Sequence, residues 1–150
     1  MASNEPDAKQ ARKALQQHRV IQRLLQAVVR FITAGPGHSA ETIQTLDRDL
    51  KNLQAYMGSH FEQEEAGGLF EDILERLPMV DAAVQDLRQE HKEFIEDLKG
   101  LIQRLESPEV KEIEAIRSDL NIFVSTFYEH EATENGLLQQ AYNLDIGSPD

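Results

Sequence analysis

The chain contains no cysteine. That absence excludes disulfides, thiolate nucleophiles, zinc-finger sites and iron–sulfur ligation together. Any metal would have to be held by nitrogen and oxygen. Basic residues are also scarce, 15 against 27 acidic ones, for a formal charge of −12. Nucleic acid and anionic membranes both demand a basic footprint, so neither is an expected partner. No apolar run approaches the roughly 18 residues that a membrane span requires. The opening MASNEPDAKQARK lacks the apolar core of a secretory signal, and a cytoplasmic location is the expectation. No segment shows the alternation or β-branched enrichment of strands.

What remains is helical. The 150 residues suit one domain, 1–150, with its own core. Breakers divide it: AGPG at 34–37, followed by Ser39 as a candidate N-cap; AGG at 66–68; and SPE at 107–109. In the last, Ser107 can cap, Pro108 suits a first turn and Glu109 suits the helix dipole. Four helices are predicted, near 6–34, 39–67, 79–106 and 108–142, with LFEDILERL as a short extension of the second and a short C-terminal tail.

Each predicted helix carries a seam at steps of three and four: Ala14, His18, Ile21, Leu25, Val28, Ile32; then Ile43, Leu46, Leu50, Leu53, Met57, His60, Glu64. The third runs Val80, Val84, Leu87, His91, Phe94, Leu98, Leu101, Leu105. The fourth runs Ile113, Ile116, Leu120, Phe123, Phe127, His130, Glu134, Leu137, Ala141. This is the core stripe of an up-down-up-down four-helix bundle, an all-α fold.

Only six seam positions are polar: His18, His60, Glu64, His91, His130 and Glu134. Every helix contributes one histidine, and two add a glutamate four residues later. Burying unpaired carboxylates costs several kcal/mol each, roughly, so six such groups in one interior need a common reason. A metal centre supplies one, since neutral imidazole and ionised carboxylate are the ligand forms. Helical side chains lean toward their own N-terminus, so the rings of His18 and His60, on antiparallel helices, converge. The pattern H-x41-H-x3-E recurs as H-x38-H-x3-E. Such a pseudo-twofold arrangement suits two metals, each with two imidazoles, with Glu64 and Glu134 available to bridge. A hydroxide, oxide or small anion would complete the charge. Spacing leaves iron, manganese, zinc and copper open. The competing readings are a polar layer that sets helix register and a mononuclear or zinc site.

Around these residues, HFEQEEAGGLF, LRQEHKEF, YEHEATENGLL and LQQHRVI resemble the hemerythrin-like (HHE cation-binding) family over essentially the whole chain. The resemblance implies a four-helix bundle holding a non-haem di-iron centre, two iron ions with an oxo or hydroxo bridge. His18, His60, Glu64, His91, His130 and Glu134 would be its ligands. Oxygen-carrying members have a further histidine where this chain has Ile95, and an aspartate where it has Asn135. The four-histidine, two-glutamate set is closer to the di-iron proteins of nitric-oxide stress and iron–sulfur repair, and to an iron-sensing domain of an F-box protein. The expected function is binding or sensing of dioxygen or nitric oxide. The expected partner is accordingly a small diatomic or anionic ligand, with any protein partner unidentified. The alternatives are a di-iron redox enzyme, peroxidase-like or an iron donor in cluster repair, and a metal-free helical interaction bundle. Enzymatic activity stays open, because the sequence offers no clear acid–base group beyond the ligands. His38 is expected in a solvated turn and Glu65 and Glu131 on solvated faces. Tyr56 and Tyr128 are expected to pack with their hydroxyls at the edge. Phe94, Ile95, Phe123 and Phe127 are expected in the core, where they would also form an apolar wall beside the centre.

Overall fold

The computed structural model describes residues 5–106 and 109–144. These form five α-helices: α1 Glu5–Thr33, α2 Ala40–Glu65, α3 Leu69–Arg76, α4 Asp81–Arg104 and α5 Val110–Tyr142, with a 3₁₀ turn at Pro78–Val80. No strand occurs among the described residues, and none of the described helices is long and apolar enough to cross a membrane.

The expected count of four needs correction. LFEDILER is a helix in its own right, not an extension of α2. The reason is local: a Cβ on Gly67 would lie 2.2 Å from the Gln63 carbonyl oxygen, and Gly68 turns left-handed at φ +93°. Only glycine adopts that conformation cheaply, so α2 ends and the chain swings into α3. Pro78 then opens the 3₁₀ turn, and α4 begins at Asp81, two residues later than expected. At the other end of α2, Ser39 caps as expected, its hydroxyl accepting from the Thr42 amide at 3.0 Å. Helix α5 starts at Val110, also two residues late, behind an extended Glu109 with no side-chain cap. The expected capping roles of Ser107 and Pro108, and the tail from 145 onward, lie outside the described residues.

The four long helices pack as antiparallel neighbours, as cross-helix bonds show. Gln10 and Gln17 of α1 reach Gly67 and Gln63 beyond and within α2. His18 and Gln22 of α1 reach Asn135 and Glu131 of α5. Arg104 at the end of α4 pairs with Asp119 early in α5 at 2.7 Å. Helix α3 packs on α1 and α5 at one end of this arrangement.

Two apolar clusters fill the interior. The larger joins Ile21, Leu25, Leu50, Leu53, Met57, Phe94, Leu98, Phe123 and Phe127 with their neighbours. The smaller joins Ala11, Ala14, Val84, Leu87, Leu137 and Leu138 to the buried face of α3, Leu69, Phe70 and Ile73. Between them, at the same level on all four long helices, lie the six polar seam residues.

Candidate metal centre

His18, His60, Glu64, His91, His130 and Glu134 are all buried, each 4 % exposed or less. The structure brings them together in two overlapping groups: His18, His60, Glu64 and Glu134, and His91, His130 and Glu134. Within each group the candidate donor atoms lie within 4.8 Å of one another.

The two glutamates are shared between the histidine pairs. Glu64 turns Oε2 toward His60 Nε2 at 3.1 Å and His18 Nε2 at 3.5 Å, and Oε1 toward His91 Nε2 at 3.3 Å. Glu134 turns Oε2 toward His18 Nε2 at 2.8 Å and Oε1 toward His130 Nε2 at 3.6 Å. Each carboxylate thus offers one oxygen to each pair. The ring centroids are 4.8 Å apart for His18 and His60 and 5.1 Å apart for His91 and His130.

The inward atoms are the ones left without hydrogen bonds. Both oxygens of Glu64, Oε2 of Glu134, and Nε2 of His91 and of His130 are buried and make none. A buried polar atom without a partner costs about 1–3 kcal/mol, and more if charged. Several of them converging on one spot is therefore a poor structural layer and a good donor set for a hard or borderline dication. The residues fit a metal centre.

Among the protein groups alone, charge is distributed unevenly. Glu134 is held well above the ordinary carboxylate range, by burial first and then by the Glu64 charge. Glu64 is held well below it: burial opposes this, and the close approach of Glu134, His18, His60 and His91 outweighs burial. His18 is raised well above its ordinary value, because Glu134 and Glu64 together outweigh the burial that would lower it. His130 is lowered, chiefly by burial.

Behind the rings stands a set of residues that sequence reasoning missed. His60 Nδ1 donates to Gln17 Oε1 at 2.7 Å, and His18 Nδ1 to Asn135 Oδ1 at 2.9 Å. His91 Nδ1 donates to Glu65 Oε2 at 2.7 Å, and His130 Nδ1 to Glu90 Oε1 at 2.6 Å. With Nδ1 bonded outward, Nε2 of a ring in its neutral form is left as the inward lone pair. Every one of these acceptors sits on the helix next to the ring it holds, so the bonds close a circuit through α1, α2, α4 and α5. In sequence they appear as neighbours of a different site residue: Gln17 beside His18, Glu65 beside Glu64, Glu90 beside His91, Asn135 beside Glu134. The pairs were visible; which ring each would grip was not.

Two expectations fail here. Glu65 is half-buried on His91 rather than solvated. Glu131 is only 4 % exposed; Gln22 donates to its Oε1, and its Oε2 makes no bond. Burial raises its carboxyl above the usual range. The cause is α5, which is enclosed by α1 on one side and α4 on the other and so buries a wider face than one seam. His38 is exposed, as a turn residue should be. Tyr56 is half-buried against the core, and Tyr128 is 37 % exposed.

Aromatic rings wall the centre. Phe61 stacks on His91 at 3.8 Å between centroids, and Phe70 of α3 stacks on the same ring at 5.4 Å. Phe94 meets His130 edge-on at 5.1 Å. Phe94, Phe123 and Phe127 are in the core as expected, and Ile95 packs at its margin. Phe61 and Phe70 were not expected. An opening of about 350 Å³ lined by Gln17, Gln63 and Glu64 reaches the cluster from one side, and one of about 150 Å³ lined by Glu90, Thr126 and His130 reaches it from another.

A family model described as the hemerythrin HHE cation binding domain matches residues 12–142. No curated protein and no solved structure matches the chain significantly.

Proposed function

The chain belongs to the hemerythrin HHE cation-binding family, and from that premise we propose that it is a non-haem di-iron protein that binds or senses dioxygen or nitric oxide. The observation that carries this reading is the way Glu64 and Glu134 each split their two oxygens between the histidine pairs. His18, His60, His91 and His130 would supply nitrogen donors, and the two glutamates would bridge. Two iron ions there would supply one-electron redox chemistry and positions open to a small ligand.

The chain's own residues do the rest. Gln17, Asn135, Glu65 and Glu90 fix the tautomer and aim of each ring. Phe61, Phe70 and Phe94 cover His91 and His130 with apolar surface, while the opening beside Gln17, Gln63 and Glu64 gives a small ligand a way in. In this reading α1, α2, α4 and α5 are the family's bundle and α3 is an added lid. Cysteine-free ligation and an acidic exterior suit a cytoplasmic protein with no nucleic-acid or membrane partner.

The metal-free interaction bundle is disfavoured by the unbonded inward atoms, which such a bundle would have no reason to retain. The test is elemental analysis of anaerobically purified protein, with an optical spectrum before and after air. About two irons per chain, with near-ultraviolet bands growing on oxidation, is the expected result. No metal, or one zinc, overturns the reading. A peroxidase or an iron donor would instead show turnover with peroxide, or transfer of iron to an acceptor cluster protein.

A further inference from the structure

The circuit of bonds behind the four rings is symmetric in position and asymmetric in charge. His18 and His60 are held by neutral amides, Asn135 and Gln17. His91 and His130 are held by carboxylates, Glu65 and Glu90, at 2.7 and 2.6 Å. A ring N–H that donates to a carboxylate makes a stronger, charge-assisted bond than one that donates to an amide, and it leaves the far nitrogen more electron-rich. The two glutamates reach both pairs, but both group closely with His18 and His60 while only Glu134 groups closely with His91 and His130. The charge behind the rings acts in addition to that difference, and it favours the His91 and His130 half.

Other charges also face these groups. Arg88 lies 3.7 Å from Glu65 Oε1 and offsets part of that carboxylate's effect, whereas Glu90 pairs with His130 itself. On the opposite half, Glu131 stands near His18 and His60, yet Gln22 donates to one of its oxygens and the other bonds no ring. It adds a field there without polarising an imidazole through a hydrogen bond.

We propose that the centre is electronically two-sided: the metal held by His91 and His130 is bound more tightly and keeps the higher charge, because Glu65 and Glu90 back its ligands with carboxylates where Gln17 and Asn135 back the other pair with amides. The inference rests on the di-metal reading above. In it Glu65 and Glu90 are positioning residues that tune the ligands from behind, and the metal held by His18 and His60 is the one that gives up its higher charge first.

Anaerobic titration of metal-free protein with ferrous iron tests this in the wild type and two double variants. The wild type is expected to bind two irons in two resolved steps. Glu65→Gln with Glu90→Gln keeps an acceptor oxygen behind each ring and removes only the charge. It should weaken the tighter step about tenfold, at the low end for lost outer partners, and leave the weaker step in place. Gln17→Glu with Asn135→Asp should strengthen the weaker step and leave the tighter one. The midpoint potential for the first oxidation should rise in the first double variant, by about 59 mV for each tenfold by which ferric binding weakens more than ferrous binding. Glu93→Gln, on the same helix but bonded to Gln89, should move neither step and so excludes a general field effect. If the first variant binds two irons with both steps weakened alike, or both unmoved, the inference is overturned. Should that variant not fold by circular dichroism, the second decides alone: an unmoved weaker step overturns it. Fewer than two irons in the wild type would overturn the di-metal reading itself, a separate and recognisable result.

Discussion

At the scale of single residues, the centre concentrates a burial cost that a bound cation would offset. Glu64 and Glu134 are each 1 % exposed and carry unbonded oxygens. Replacing either by alanine removes one oxygen from each histidine pair. Glu64→Ala and Glu134→Ala should therefore each lose at least one metal per chain, measured by elemental analysis; full metal content in either variant would refute bridging. The candidate residues themselves were legible because a polar group on an otherwise apolar seam stands out against its period. Glu65 and Glu131 were misread for the complementary reason. Each sits one position off a seam, and whether that position is buried depends on how much of the helix its neighbours enclose.

Elements add what residues cannot. Helix α3 closes one end of the polar layer by burying Leu69, Phe70 and Ile73. Phe70 is fully buried and lies against His91. Phe70→Ala should cost about 3 kcal/mol or more through the cavity it leaves. It should also speed removal of metal by a chelator, since the ring is part of the wall; an unchanged release rate would mean that α3 is not a lid. At the opposite end, Arg117 of α5 is nearly buried and ties together the α1–α2 connection. It donates to the Phe31 and Gly37 carbonyls, pairs with Glu114 at 3.2 Å, and lies 4.2 Å over the Phe31 ring. Arg117→Ala should cost roughly 2 kcal/mol by leaving those carbonyls unsatisfied, seen as a lower urea midpoint with metal content intact. The helices were legible from their period. The separateness of α3 was not, because two adjacent glycines can end a helix or merely loosen it; here the left-handed backbone of Gly68 ends it, and the burial of Phe70 and Ile73 holds α3 in its new direction.

At the scale of the whole molecule, metal and fold are linked. A ligand that binds only the folded chain stabilises it by about 2.7 kcal/mol when present at a hundred times its dissociation constant. Chelation should accordingly lower the melting temperature by several degrees. Restoring iron should recover it; a melting curve indifferent to chelator would mean that the core is complete without metal. The all-α class, the level of the polar layer and the identity of its six residues follow from sequence periodicity alone, because burial on a helix repeats every three to four positions and a charge there cannot be accidental. Which helix grips which ring, and that one half of the centre is backed by carboxylates and the other by amides, depends on helix rotation and neighbour choice. Those are settled by side-chain packing between elements distant in the chain, so only the tertiary structure could decide them.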